Sequence, residues 1–512
     1  MKYGPFVFVM IVGFFLGGCT SKMMKVKQPN IILFLVDDMG WQDTSVPFWD
    51  KKTAYNSLYK TPNMERLAAE GMKFTDAYAT AVCSPTRVSL MTGMNAAKHR
   101  VTNWTLRKDN IQPMEKNHPH LTFPQWNVNG LSPVAGIDYS VHATTLPTAL
   151  KNAGYFTIHS GKSHLGANDT PGENPLNIGF DINIGGHAAG APGSYLGIDN
   201  FGNDKKGREV WAVPGMEDYY GEDIFLTEAL TLEAMKAIDT AVATKKPFFL
   251  FMAHYAIHTP LMEDKRFIQK YIDLGLDLKE AKYAALIEGM DKSLGDLMDY
   301  LETNNLDDNT IIMFMSDNGG LSAVARGGEK HTHNKPLASG KGSVYEGGIR
   351  EPMLVKWPGT IKPNSVSGEY LIIEDFYPTI LEMAGIRNAE TVQTIDGVSF
   401  MPLLKGEEFD SSERALFWHY PNEWGPSGPG IGASSAVRLG DWKFIYYHLD
   451  QRMELFNLKD DIGEQNNRIE NQPQKTRELA KILSDYLIKV KAQMPSNKAT
   501  NKVIPMPIKN LK

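Results

Sequence analysis

Cys83 opens the run Cys83-Ser84-Pro85-Thr86-Arg87 and is one of only two cysteines in the chain. The pattern predicts a helix capped by Ser84 with Pro85 in its first position. Cys83 then sits at a helix N-terminus, where backbone N–H groups and the dipole favour anions. Arg87, four residues on, shares that face. The plainer alternative is a buried free cysteine beside a surface arginine. In an exported chain cysteines usually pair, so a lone mature thiol points to chemistry instead of stapling.

Four short apolar runs each deliver polar residues at their carboxyl ends. Ile31–Val36 leads to Asp37-Asp38, and Ile311–Met315 to Asp317-Asn318. Tyr155–His159 leads to Lys162 and His164, and Phe248–His254 to His258 in His258-Thr259-Pro260. Taken singly, these are a helix cap, a turn, a solvated lysine and structural histidines. Taken together, they fall on one edge of one sheet, where open parallel sheets bind ligands. Asp37, Asp38, Asp317 and Asn318 offer only oxygen, which suits calcium or magnesium and not zinc or copper.

The elements that must position these groups follow from the apolar pattern. Continuous short runs, Met353–Lys356 among them, read as strands buried on both faces. Helices are predicted from Thr61-Pro62 to Gly71, over Thr145–Asn152, Glu222–Ala243 and Leu278–Thr303, and over Asp375–Ala384. Alternation of the two implies an α/β fold with a mostly parallel sheet sandwiched by helices. Past Lys405 short strands at Ala415–Tyr420, Ser435–Leu439 and Trp442–Tyr447 precede a helix over Lys475–Ala492. The expected domains are a catalytic unit over 26–405 and a smaller α+β unit over 406–512, whose tail from Pro495 is read as loosely docked. Ala96–Thr144 and Gly166–Tyr220 are long, irregular and rich in aromatic residues, which marks them as functional loops.

Residues 1–19 read as an export signal. Lys2 precedes an apolar stretch, Phe6–Leu16, that is too short for a membrane span, and Leu16-Gly17-Gly18-Cys19 resembles a bacterial lipobox. The expectation is a lipid anchor at Cys19, with the periplasm favoured over the cell surface because no acidic run follows it. A net charge of -6 argues against general nucleic-acid binding.

Cys-x-Pro-x-Arg at 83–87 resembles the signature of the formylglycine-dependent sulfatases, members of the alkaline phosphatase superfamily. Gly161–Gly166, His258-Thr259-Pro260, Ser316–Gly319 and Gly340-Lys341-Gly342 with Glu346–Arg350 follow in the family's order, and the likeness runs over roughly residues 28 to 470. Thr86, Ser163 and Met94 stand where the family commonly has Ser, Trp and Arg.

The resemblance implies that a maturation enzyme oxidises Cys83 to formylglycine. It also implies calcium held by Asp37, Asp38, Asp317, Asn318 and the modified Cys83, with Arg87, Lys162, His164, His258 and Lys341 as the catalytic and sulfate-binding set. In that scheme the hydrated aldehyde attacks sulfur, His258 with Lys341 protonates the leaving alcohol, and His164 deprotonates the second hydroxyl so that sulfate departs.

A sulfated saccharide is the expected substrate. Trp104 and His187 are the candidate sugar-binding residues, Trp126, His118 and His120 offer further stacking and hydrogen bonding, and loop Trp418–Ser434 is read as closing the pocket. Two alternatives stand beside this reading: a phosphate or phosphonate monoester hydrolase of the same superfamily, and a catalytically dead glycan-binding lipoprotein.

Overall fold

Strand β1 (Asn30–Val36) is apolar at every position after Asn30 because both of its faces are covered. Ile31, Leu33 and Leu35 enter one hydrophobic cluster, and Ile32, Phe34 and Val36 enter another on the opposite side. This is the period of two expected of a sheet with helices on both faces. The computed structural model describes residues 1–5, 28–111, 113–204 and 206–511. The apolar N-terminal segment and Cys19 lie outside the described residues.

The remaining strands of this sheet are β2 (Met72–Tyr78), β3 (Phe156–Gly161), β4 (Ile182–Ile184), β5 (Phe248–Ala253), β6 (Thr310–Ser316), β7 (Arg350–Lys356), β8 (Ser365–Ser367) and β9 (Leu371–Ile372). Their order is β8-β2-β7-β6-β1-β5-β3-β4, with β9 also on β2. The centre of the sheet is parallel. Strand β7, expected among the parallel strands, instead runs antiparallel to both β6 and β2. The long connection from β6, residues 317–349, holds no helix but the four-residue turn Glu346–Ile349, so nothing carries the chain back across the sheet to start a parallel strand. Strand β2 gave no sequence signal, since Met72-Lys73-Phe74-Thr75-Asp76-Ala77-Tyr78 mixes polar with apolar residues at an outer position of the sheet.

The helices that cover the sheet include α1 (Pro62–Glu70), α2 (Cys83–Thr92), α3 (Leu146–Asn152), α4 (Leu226–Ala243), α5 (Leu278–Thr303) and α6 (Phe376–Met383). Two caps differ from expectation. The Thr61 hydroxyl does not cap α1 but binds Thr44 and the Ser45 amide. Helix α2 starts two residues earlier than predicted, with Val82 as its flanking residue and Cys83 as its first. The Ser84 hydroxyl, freed from capping, accepts from the Thr105 amide.

Strands β10 (Ala415–Tyr420), β11 (Ser434–Leu439), β12 (Trp442–Tyr447) and β13 (Met453–Asn457) form an antiparallel sheet. One of its faces joins the main core through Trp418, Ala436, Ile445 and Phe456. The other receives Leu479, Ala480, Leu483 and Leu487 of α7 (Pro473–Lys489). The tail is not loose. Ser496 and Asn497 pair with Thr122 and Leu121, Ile504 is buried, and the Ile508 amide donates to Ser484. Its few apolar residues fill the gap beside α7.

Candidate active site

Register fixes the centre. Val36 of β1 is paired with Ser316 of β6, so Asp37-Asp38 and Asp317-Asn318 leave the sheet side by side. The Asp38 amide donates to Asp317 Oδ1 at 3.3 Å. Asp38 has left-handed backbone, φ 62°, which turns the chain sharply as it leaves the strand. Gly161 ends β3 at φ 102°, and a Cβ there would lie 2.0 Å from the Ala253 carbonyl oxygen. Only glycine lets β3 pass this close to β5 and deliver Lys162.

The ten-residue helix α2 brings Cys83 and Arg87 to the same place, both fully buried or nearly so. Arg87 Nε donates to Asp317 Oδ2 at 2.8 Å, and Nη1 to the Lys162 carbonyl. Lys162 Nζ lies 2.6 Å from Asp37 Oδ2, and Lys341 Nζ lies 2.6 Å from Asp38 Oδ1. Cys83 Sγ sits between them, 3.5 Å from Asp37 Oδ1 and 3.4 Å from Lys341 Nζ. Asn318 Nδ2 donates to Asp38 Oδ1. The site thus unites Asp37, Asp38, Cys83, Arg87, Lys162, Asp317, Asn318 and Lys341.

Burial and the neighbouring Asp317 push the Asp37 carboxyl well above its ordinary range, with Lys162 opposing them. Burial acts on Asp38 in the same sense, yet Lys341 and His258 overcome it and hold that carboxyl low. Burial also pushes the Cys83 thiol up to about 12, so the thiol is protonated and a poor nucleophile at neutral pH.

The two histidines are neutral. Burial and then Lys341 bring His258 down to about 3, and burial with Lys162 and Arg87 takes His164 well below its usual value. His258 Nδ1 bonds the Thr259 carbonyl, which turns Nε2 toward Asp38 Oδ2 at 3.6 Å. His164 Nε2 donates to the Thr105 carbonyl, and its buried Nδ1 has no hydrogen-bond partner.

The donor set fits a hard divalent cation. One ligand atom from each of Asp37, Asp38, Cys83 and Asp317 lies within 4.8 Å of the others. Calcium–oxygen bonds of 2.3–2.6 Å span about this distance across one ion. Asp38 Oδ2 and Asn318 Oδ1 are buried without a hydrogen-bond partner, as oxygens reserved for a cation would be.

A pocket of about 500 Å³ opens over this centre. Cys83, His164, His258 and Lys341 form its floor, with Trp104, Trp211 and Trp424 on its walls and Arg208 beside them. None of the lining residues is Asp or Glu. Trp424 comes from the loop after β10 and packs over Gly342, where a Cβ would meet its ring at 2.0 Å.

Four aromatic or histidine expectations fail. Trp126 is buried in the main core and donates to Glu115, and His118, packed on His120 and Phe123, is off the pocket lining, as is His120. His187 is not on the lining either. Its carbonyl accepts from the His164 amide and its ring lies against Tyr255, so it supports His164 from behind. Arg208, Trp211 and Trp424 were not singled out from sequence. Arg208 and Trp211 lie in the irregular loop Gly166–Tyr220, and Trp424 in the loop Trp418–Ser434 expected to close the pocket, but nothing in the residue order said which side chains turn inward.

A mostly parallel sheet that gathers charged side chains past its strand ends, beneath a basic and aromatic pocket, is the architecture of an α/β enzyme acting on anions. Residues 29–386 match the family described as Sulfatase, and residues 339–493 match the family described as N-sulphoglucosamine sulphohydrolase, C-terminal. A protein named Sulfatase from Formosa agariphila is 29% identical over 94% of this chain and 92% of its own length. N-acetylgalactosamine-6-sulfatase of Mus musculus is 32% identical over 81% of this chain and 71% of its own. The crystal structure of Ps i-CgsB superposes with a TM-score of 0.70 at 28% identity, covering 90% of this chain and 93% of that one. The chain belongs to the sulfatase family, sulfuric ester hydrolases of the alkaline phosphatase superfamily.

Proposed function

We propose that the protein hydrolyses O-sulfate esters on a saccharide, using calcium and a formylglycine made from Cys83 by a maturation enzyme. The observation that carries this reading is the ring of oxygen donors, two of them buried and unpartnered, around Cys83 at the floor of a basic, aromatic pocket. A thiol is a soft ligand and suits such an ion poorly, and at a pKa of about 12 it is a poor nucleophile as well. An aldehyde hydrate at that position removes both difficulties, because it supplies oxygen to the cation and two hydroxyls on one carbon. Asp37, Asp38, Asp317 and Asn318 would hold calcium, which would supply positive charge beside the ester oxygens.

The chain's own groups divide the remaining work. Arg87, Lys162 and Lys341 balance the three carboxylates and favour charge developing on sulfate. Lys341, held protonated against burial by Asp38, keeps a proton beside Cys83. His258 Nε2 is turned to the pocket by the Thr259 bond and carries a proton to the leaving oxygen once it is protonated. His164, with Nδ1 open, is the group suited to accept one. Trp104, Trp211 and Trp424 offer faces on which a sugar ring can stack.

Two of the related proteins support a saccharide: one is named N-acetylgalactosamine-6-sulfatase, and Ps i-CgsB has been solved in complex with k-i-k-neocarrahexaose. The test is release of sulfate from a panel of position-defined sulfated sugars, N-acetylgalactosamine 6-sulfate included, each paired with the phosphate ester of the same alcohol. Sulfate release that chelation abolishes and calcium restores is expected. Faster turnover of the phosphate esters, or sugar binding without release, would contradict the proposal. We further propose export with a lipid anchor at Cys19, facing the periplasm; rapid loss of the protein on protease treatment of intact cells would instead mean surface display.

A further inference from the structure

Leu106 lines the pocket, and Arg107, which is not itself on the lining, follows it and packs on the lining residue Trp211. The backbone there is pinned, because the Asn168 amide donates to the Leu106 carbonyl and Arg107 bridges Asn168. Arg208 and Trp211 reach the same rim from the second irregular loop, where Trp211 ends a short helical turn over Glu209–Trp211 and its amide donates to the Arg208 carbonyl. The two guanidinium carbons, of Arg107 and of Arg208, lie 5.3 and 5.7 Å from the centre of the Trp211 ring. Stacking on an indole holds a guanidinium in place while leaving its N–H edge available.

Both arginines are exposed, and neither has a carboxylate partner among the described residues. The acids nearest in sequence are otherwise engaged. Glu209 accepts from the Gly207 amide, and Asp109 accepts from Asn129. Arg66, by contrast, is neutralised by three carboxylates and Arg266 by two. Two unneutralised guanidinium groups converging on one ring at the mouth of an anion pocket are a ready fork for oxyanions.

We propose that Arg107 and Arg208, held on Trp211, form a second anion subsite that takes a further sulfate group on the saccharide whose scissile ester lies over Cys83. The preferred substrates are then multiply sulfated saccharides, entered with the second sulfate at the rim. This rests on the reading of the pocket as a sulfate-ester site.

The experiment measures binding without turnover, by calorimetry on the calcium-loaded Cys83→Ser protein. The probes are carrageenan hexasaccharides of one galactan backbone carrying one or two sulfates per disaccharide repeat. A second pair, chondroitin tetrasaccharides with one or two sulfates on each galactosamine, adds a constant carboxylate. The more sulfated member of at least one pair is expected to bind about 10-fold tighter, which is about 1.4 kcal/mol. Arg107→Gln with Arg208→Gln should erase most of that preference and flatten the salt dependence of binding.

A double variant that keeps the preference, or a Cys83→Ser protein with both arginines in place that shows none on either backbone, overturns the subsite. An advantage that follows the uronate carboxylate instead of the added sulfate also overturns it. Turnover of 4-nitrophenyl sulfate by the active, unsubstituted protein is read separately. Its absence would count against ester hydrolysis, while the binding data would still decide the subsite.

Discussion

Two buried charge clusters in this molecule have the same balance of three acids and three bases and opposite character. At the site, three aspartates (37, 38 and 317) face Arg87, Lys162 and Lys341. Between the central and C-terminal sheets, Asp76, Glu346 and Glu464 face Arg350, Arg438 and Lys443.

In the second cluster the acceptors are used, Glu464 Oε1 through its ion pair with Lys443 at 2.8 Å and not through a hydrogen bond. Glu346 takes Lys443 on one oxygen and Arg350 with Tyr78 on the other, and Asp76 takes both arginines on one oxygen and Thr75 on the other. Burial and the adjoining Glu346, opposed by Lys443, raise the third acid, Glu464, to about 8. The site cluster instead leaves Asp38 Oδ2, Asn318 Oδ1 and Arg87 Nη2 buried and unbonded. Each such group costs about 1–3 kcal/mol. A structural cluster closes on itself, and a functional one keeps its unpaired atoms for a ligand.

Substitutions should separate the two. Asp317→Asn keeps an oxygen for Arg87 but removes charge from the ring. It is expected to lower sulfate-ester turnover by about 10²–10³-fold, the scale of lost transition-state electrostatics, and to leave a folded protein by circular dichroism. Near-normal turnover would break the contrast. Glu346→Ala should do the reverse, stripping partners from buried Lys443 and Arg350. Denaturant unfolding should show a loss of about 3–5 kcal/mol, the usual penalty for breaking a buried pair, with activity per folded molecule retained.

Calcium sharpens the comparison further. At about 100 times its dissociation constant it should add about 2.7 kcal/mol of stability, seen as a raised melting temperature. Asn318→Ala should erase most of that gain and Glu346→Ala should keep it; an equal gain in both variants would mean the ion binds elsewhere.

The smallest effect belongs to Glu374, a buried acid of neither cluster. Burial and the adjoining Asp375 raise it from 4.5 to about 8, and one of its oxygens has no partner. A raised folded value means that the stabilising share is complete below the unfolded value and is lost as pH rises through about 8. Glu374→Gln cannot ionise, so its melting temperature should gain on the parent as pH rises from roughly 5 to roughly 9. A gap that stays constant with pH would refute this.

What the sequence disclosed follows from which forces are local. The runs that became β1, β5 and β6 were legible because strands buried on both faces must be apolar throughout, and the residues just past them were legible as site candidates for the same reason. Strand β2 was not, because Lys73, Thr75 and Asp76 are tied to partners distant in sequence. The antiparallel sense of β7 depends on a turn whose geometry no periodicity records. Trp126 and Trp104 look alike in sequence, yet one donates to Glu115 inside the core and the other lines the pocket. That difference is set by how the irregular loops fold back, which is also why Arg208, Trp211 and the docked tail escaped notice.

The central claim is that Cys83 is the precursor of the reacting group. Mass spectrometry of the peptide spanning residues 83–87, taken from active protein made in a host with the maturation enzyme, tests it directly. The account predicts an aldehyde mass at Cys83, in a proportion that tracks specific activity across preparations. An unmodified thiol in fully active protein would contradict it.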